Sequence, residues 1–379
     1  MAVNSKGEVL TWGFGGDGRL GHGDSSGFAT PHLLELLKGK DGLGVIQMVC
    51  AGDCHSAALD SKGEVYTWGS GSYYKLGHGD ITDRSGPRVV KQLVGKRLVD
   101  LSCGYYHTAV LTHNGVLFTW GGGIYGKLGH PSQDNVGYPA SVKALSGKRM
   151  CSVVATPMST LVVSETGDLF TCGYGSKGAL GHGEQLHEEL PKKVAQLRGT
   201  RVAMYAVLKG EMRARMSQLA SGAPSADAKD DQNKMDEKAG SQIRFIAAGP
   251  FHAHCSSEKG RMFGWGSGQY SKLGFGDDSD APLPRRVIGK LERKLITMVG
   301  CGEKHTVAIT GDGNEVFTWG CEGEGRLGLG KPDIVDPDVP PGVAMAQPCL
   351  SPFRRSDIPP LFSLLLCLSP SMSVSQIEQ

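Results

Sequence analysis

Along Glu64-Val65-Tyr66-Thr67-Trp68 the side chains alternate in character, which puts Val65 and Thr67 on one face and Tyr66 and Trp68 on the other. A period of two predicts a short strand packed between sheets. Upstream, the segments from Val49 to Leu59 and from Leu101 to Leu111 each read as two strands broken at a Gly-x-x-His turn, and a segment from Val299 to Ile309 repeats them. Downstream lies a glycine-rich loop that ends in Leu-Gly, and then a Pro-led strand, Pro87 to Leu93. One unit therefore holds four short strands.

The unit recurs. Its anchor dipeptides are Trp12-Gly13, Trp68-Gly69, Trp120-Gly121, Cys172-Gly173, Trp265-Gly266 and Trp319-Gly320, spaced by 56, 52, 52, 93 and 54 residues. Each anchor is followed by Leu-Gly, at Leu20, Leu76, Leu128, Leu180, Leu273 and Leu327. A fixed period in this range predicts radially arranged units, here an all-β propeller with blades of about 51–56 residues. Composition agrees: 56 glycines in 379 residues with only 7% aromatics favour tight turns over long helices.

The pattern Gly-x-x-His-Ser/Thr, then Gly-x-Val-x-x-Trp-Gly and a closing Leu-Gly, resembles the regulator of chromosome condensation repeats, over residues 2 to 330 apart from one insertion. The resemblance implies a seven-bladed propeller, most like the repeat domains of HECT-type ubiquitin ligases. Six anchors are visible, and no Gly-x-x-His segment precedes Lys6-Gly7, so the expectation is an incomplete seven-bladed ring with a truncated first blade over residues 1–330. The long interval holds an insertion at 211–241, rich in small polar and charged residues, which is expected to be disordered. Residues 331–379 turn Pro/Ser/Leu-rich and leave the repeat, so the chain reads as a piece of a larger protein or an imperfect gene product.

A net charge of +2 singles out neither nucleic acid nor a membrane surface as partner, so direct contact with either is not expected. The apolar run from Leu361 to Leu368 is far shorter than the ~20 residues of a spanning helix. Ten cysteines without an apolar leader fit reduced thiols, hence an intracellular protein of cytoplasm or nucleus.

Three motifs carry no chemistry at this stage. Gly13-x-Gly15-x-x-Gly18 and its copies match a dinucleotide fingerprint, but they run into Leu-Gly rather than a long helix. The histidines fall into two repeated classes, His55, His107, His252 and His305 after Gly-x-x, and His22, His78, His130 and His182 after Leu-Gly. Equivalent positions of successive blades spread around an axis, so no metal site is expected from them, and their job is hydrogen bonding within a blade. Cys50, Cys103 and Cys301 lie on the strands that run into Gly-x-x-His turns and suit small buried thiols. No cofactor or catalytic residue is expected.

One feature stands above the scaffold. The residue before Leu-Gly is basic in five units, Arg19, Lys75, Lys127, Lys272 and Arg326, which suggests an arc of charge able to attract an acidic surface. The family resemblance leaves two functions open: a protein-interaction scaffold, as in ubiquitin-ligase-associated propellers, or a guanine-nucleotide exchange factor for a small Ran-like GTPase. Photoreception by tryptophan clusters would imply Gly-Trp-Arg-His-Thr, and this chain has Gly104-Tyr105-Tyr106-His107-Thr108 instead.

Overall fold

A computed structural model describes residues 1–37, 44–197, 243–257, 260–292, 294–310, 315–323 and 327. The expected insertion at 211–241 and tail at 331–379 lie outside them, as does Arg326.

The strands, in chain order, form six antiparallel sheets. Blade 1 is β1 (Ala2–Val3), β2 (Val9–Gly13) and β3 (Phe28–Leu33), and blade 2 is β4 (Ile46–Ala51), β5 (His55–Asp60), β6 (Val65–Gly69) and β7 (Arg84–Val89). Blade 3 is β8 (Leu98–Cys103), β9 (His107–Thr112), β10 (Leu117–Gly121) and β11 (Val136–Ser141). Blade 4 is β12 (Met150–Ala155), β13 (Ser159–Ser164), β14 (Leu169–Gly173) and β15 (Glu188–Lys193). Blade 5 is β16 (Ile243–Ala248), β17 (His252–Ser257), β18 (Met262–Gly266) and β19 (Ala281–Arg286), and blade 6 is β20 (Ile296–Cys301), β21 (His305–Thr310) and β22 (Val316–Gly320).

The expectation of an incomplete seven-bladed ring is thereby corrected: among the described residues the propeller has six blades. Each anchor strand pairs within a sheet of its own, so six anchors make six sheets, and the number seven came from the usual family count rather than from residues of this chain.

The hydrophobic core lies between blades. In blade 2, β5 pairs with β6 in a register that sets Ser56 opposite Trp68 and His55 opposite Gly69, and the pairing of β6 with β7 shifts register between Thr67 and Gly69, which faces Arg84. Alternation then sends Tyr66 and Trp68 toward blade 1, where they pack with Val9, Leu34 and Leu37. Trp120 packs among Leu59, Val65, Val90 and Leu93 of blade 2, and Trp265 among Leu161, Leu169 and Leu197 of blade 4. A fully buried tryptophan removes about 200 Å² from water, worth roughly 5 kcal/mol of gross transfer free energy.

The Leu-Gly motif is the receptor for that tryptophan. Gly77 has φ +77°, and a Cβ there would lie 2.6 Å from Nε1 of Trp120 in the next blade. Gly21 stands in the same relation to Trp68 at 2.7 Å. A side chain at these glycines would meet both a left-handed backbone and an indole already in place.

Candidate functional site: the loop face and its aromatic rim

Backbone carbonyls of the residues before Leu-Gly are shared by the next blade. Arg19 O accepts from Trp68 Nε1 at 3.0 Å and from Ser56 Oγ at 2.8 Å. Lys75 O accepts from Trp120 Nε1 at 3.0 Å and Thr108 Oγ1 at 2.9 Å, and Lys272 O from Trp319 Nε1 and Thr306 Oγ1, both at 2.9 Å. Where the tryptophan is replaced by Cys172, Lys127 O still accepts from Thr160 Oγ1 at 2.6 Å. Ala179 O accepts from Trp265 Nε1 at 3.1 Å, so the seam needs the carbonyl and not the basic side chain.

The side chains of these residues do not form an exposed arc. Lys75, Lys127 and Lys272 are 2%, 0% and 3% exposed, while Arg19 is partly buried and reaches Asp17 and the Asp53 carbonyl. Lys75 Nζ donates to Ser72 Oγ at 2.6 Å and Lys127 Nζ to Ile124 O at 3.2 Å. Burial lowers all three lysine pKa values, that of Lys127 to about 8. Their charge thus lies beneath the loops.

The first histidine class acts between blades rather than within one. His55 Nε2 meets Thr108 Oγ1 at 2.9 Å, His107 Nε2 meets Thr160 Oγ1 at 2.8 Å, and His252 Nε2 meets Thr306 Oγ1 at 3.0 Å. Each threonine hydroxyl has one proton and donates it to the lysine carbonyl, so the imidazole must be the donor from Nε2. The rings are neutral: burial holds His55 near about 3 and His107 and His252 well below the ordinary range. The second class stays within its blade, with His22, His78, His130 and His182 paired to Thr11, Thr67, Thr119 and Thr171 at 2.8–3.1 Å.

Above the seams, the same loops carry aromatic side chains that strand periodicity did not single out. Tyr73 packs edge-on against Tyr106 at 5.0 Å, and Tyr106 neighbours Tyr105 at 6.1 Å. Tyr125 meets Tyr174 at 4.9 Å, and Tyr174 meets Phe251 at 6.3 Å. Lys127 Nζ stands 5.9 Å from the Tyr106 ring and Lys304 Nζ 6.0 Å from the Tyr270 ring. Tyr73 and Tyr270 remain 50% and 40% exposed. Charges of both signs border the rim, Arg19 paired to Asp17 on one side and Glu303 acting on Tyr105 on another.

Three of these tyrosines sit in left-handed backbone at one repeated loop position, Tyr73 at φ 58°, Tyr125 at 65° and Tyr270 at 64°. A bulky residue in this region costs about 1–2 kcal/mol. The sequence signal was available, as an aromatic residue two places before the basic one in three units.

At the centre, glycine and small residues of the Gly-x-x-His turns enclose a cavity of about 70 Å³, bordered by Gly52, Gly104, Tyr105, Thr156, Gly249 and Cys301. Burial pushes the thiols of Cys151, Cys172 and Cys301 up to about 12, so they stay protonated and suit packing rather than nucleophilic attack.

Comparison with known proteins places this arrangement. The model of the regulator of chromosome condensation (RCC1) repeat matches residues 6–59, 62–111, 114–163, 166–207 and 259–309. The chain is also 32% identical to the ultraviolet-B receptor UVR8 of Arabidopsis thaliana over 355 residues, 90% of this chain and 78% of the receptor. The chain belongs to the regulator of chromosome condensation repeat family.

Further relatives within the family include the human E3 ubiquitin-protein ligase HERC2, 32% identical over 311 residues. That match takes 82% of this chain and spans only 6% of the ligase's length. Among solved structures, human WBSCR16 superposes with a TM-score of 0.64 at 20% identity, covering 88% of this chain and 77% of that one. Yeast Prp20p does so with 0.50 at 17%, covering 87% and 84%. Both share the fold. The matched repeat 62–111 starts in blade 2 with β6 and ends in blade 3 with β9, so each regulator of chromosome condensation repeat spans a seam and carries the bonds that close it.

Proposed function

We propose that this chain is a protein-interaction module whose contact surface is the aromatic rim of the loop face. The observation that carries the reading is the recurrence of Tyr73, Tyr125 and Tyr270 in strained left-handed backbone, each held partly exposed at one loop position. Strain of this kind persists where the surrounding fold over-determines it, and it clusters at binding surfaces. Tyrosine offers a rigid apolar body with a polar tip, the composition found at interface centres.

Binding rather than catalysis is supported by the protonated thiols and by histidines committed to seam bonds. The relatives point the same way in kind: the structure of Prp20p was described with its binding to Gsp1p and histones. A protein partner for this chain is inferred from that likeness and from the rim.

The test compares the chain with a variant carrying Tyr73→Asn, Tyr106→Ala, Tyr125→Asn and Tyr270→Asn. Both are matched for Tm and used for affinity capture and for nucleotide release from a panel of GDP-loaded small GTPases. Partners lost with the variant support the rim; an identical partner set with both proteins overturns it. Accelerated GDP release by the parent and not by the variant would make a GTPase the partner.

A further inference from the structure

Blade 5 departs from the repeat at linked positions. The third strand of the other blades carries Thr11, Thr67, Thr119, Thr171 and Thr318, where blade 5 has Gly264. The second strand carries Ala57, Ala109, Leu161 and Val307, where blade 5 has His254. In the other blades the threonine hydroxyl donates to the carbonyl of the Leu-Gly leucine at 2.7–2.8 Å. In blade 5 His254 Nε2 donates to Leu273 O at 3.2 Å, and a Cβ on Gly264 would lie 2.7 Å from that nitrogen. The imidazole has taken over the place and the hydrogen bond of the missing threonine.

It also adds a second nitrogen. The proton of His254 is on Nε2, so Nδ1 presents a lone pair, 3.5 Å from Cys301 Sγ. His252 donates from Nε2 to Thr306, and its buried Nδ1 has no hydrogen-bond partner. One ligand atom from each of His252, His254 and Cys301 lies within 4.8 Å of the others. At metal–ligand distances of about 2.0 Å for nitrogen and 2.3 Å for sulfur, the donors of a tetrahedral ion stand about 3.5 Å apart, so a modest contraction suffices.

We propose that His252, His254 and Cys301 form a site for one thiophilic d¹⁰ cation of the zinc type, with water from the central cavity in the fourth position. Both rings already satisfy the usual orienting requirement, in which the nitrogen that does not bind metal donates to a carbonyl or hydroxyl oxygen. Cys301 lines the cavity, which provides the path of entry. On binding, two metal–nitrogen bonds and one metal–sulfur bond form, and the thiol proton leaves to solvent through the cavity. The seam between blades 2 and 3 is an internal control: it has His55 and Cys103, but Ala57 stands where the third ligand would be.

The probe is Co²⁺, titrated into the chelator-treated full chain while thiolate-to-cobalt absorption in the near ultraviolet is followed. The expected result is a band saturating at one equivalent, displaced by Zn²⁺, with a Tm several degrees higher in the metal-bound chain. Cys301→Ala, which places there the residue found at 155 and 248, removes the band. So does the double variant His254→Ala with Gly264→Thr, which rebuilds the pattern of the other blades and keeps the parent's metal-free Tm. Absence of the band in the parent, or its survival in either variant, overturns the site.

Discussion

Nε1 of Trp120 donates to the carbonyl oxygen of Lys75 across 3.0 Å, joining two blades through residues 45 positions apart. Trp120 is wholly buried, and the carbonyl also accepts from Thr108, so the bond and the packing act at one point of the seam. Trp120→Phe removes the donor and leaves part of the indole volume empty. The expected loss is about 2–3 kcal/mol, read by denaturant unfolding. Phe14→Ala, at a 74% exposed loop position, is expected to change stability by no more than about 0.5 kcal/mol.

Acid should weaken the blades as well as the seams between them. His55 titrates near about 3 in the folded chain, and His78 near about 4, both held down first by burial, against an ordinary value of 6.5. The unfolded chain takes up these protons first, so the stability from each neutral ring is complete above pH 6.5. It is lost as pH falls from 6.5 toward the folded values. At pH 5 His55 alone accounts for about 2 kcal/mol. Unfolding free energies measured between pH 7.5 and 5 should fall progressively, and a flat profile would mean the rings are not buried neutral.

Lys127 gives a slope of the same sign at the other end of the scale. Burial lowers it to about 8 from 10.5, so between those values the unfolded chain holds more protons and stability rises with pH. At pH 7 the buried charge is a cost, and Lys127→Met is expected to stabilise the protein by about 1–3 kcal/mol in chemical denaturation.

Gly264 and His254 should be coupled. Gly264→Thr alone drives a Cβ into the imidazole 2.7 Å away and is expected to cost about 1–3 kcal/mol. His254→Ala alone leaves Leu273 O without its partner and opens a cavity. The double variant is expected to recover nearly all of the summed loss, measured as a double-mutant cycle on the metal-free chain.

Tyr125→Asn separates contact from stability. Asparagine tolerates the left-handed backbone, so at φ 65° the substitution is expected to leave Tm unchanged or slightly higher. Partner capture should weaken nonetheless. Reduced Tm with intact capture would return Tyr125 to a packing role.

Much of this was legible beforehand, because a repeat writes its geometry into the chain again and again. The alternation through Val65 to Trp68, the Gly-x-x-His turns and the Leu-Gly pairs each marked a strand or turn that the structure contains. The blade number was legible too, in the six anchors, and the family's usual seven displaced it. Harder to see were the tyrosines of the rim. A loop side chain follows no period of two, and its backbone angle is settled by what the loop folds against.

The sequence by itself determined the all-β class, the repeat and the family, since period and anchor residues are local properties that survive without neighbours. Only the tertiary structure decided which groups meet across a seam. Lys75, Lys127 and Lys272 read as a charged arc and proved nearly buried, with their carbonyls serving the next blade. His254 read as one more residue of a strand, yet it stands where other blades keep threonine and meets Cys301 from 47 positions away. Partners so distant along the chain are chosen by the packing of one sheet on another, and no local pattern records that choice.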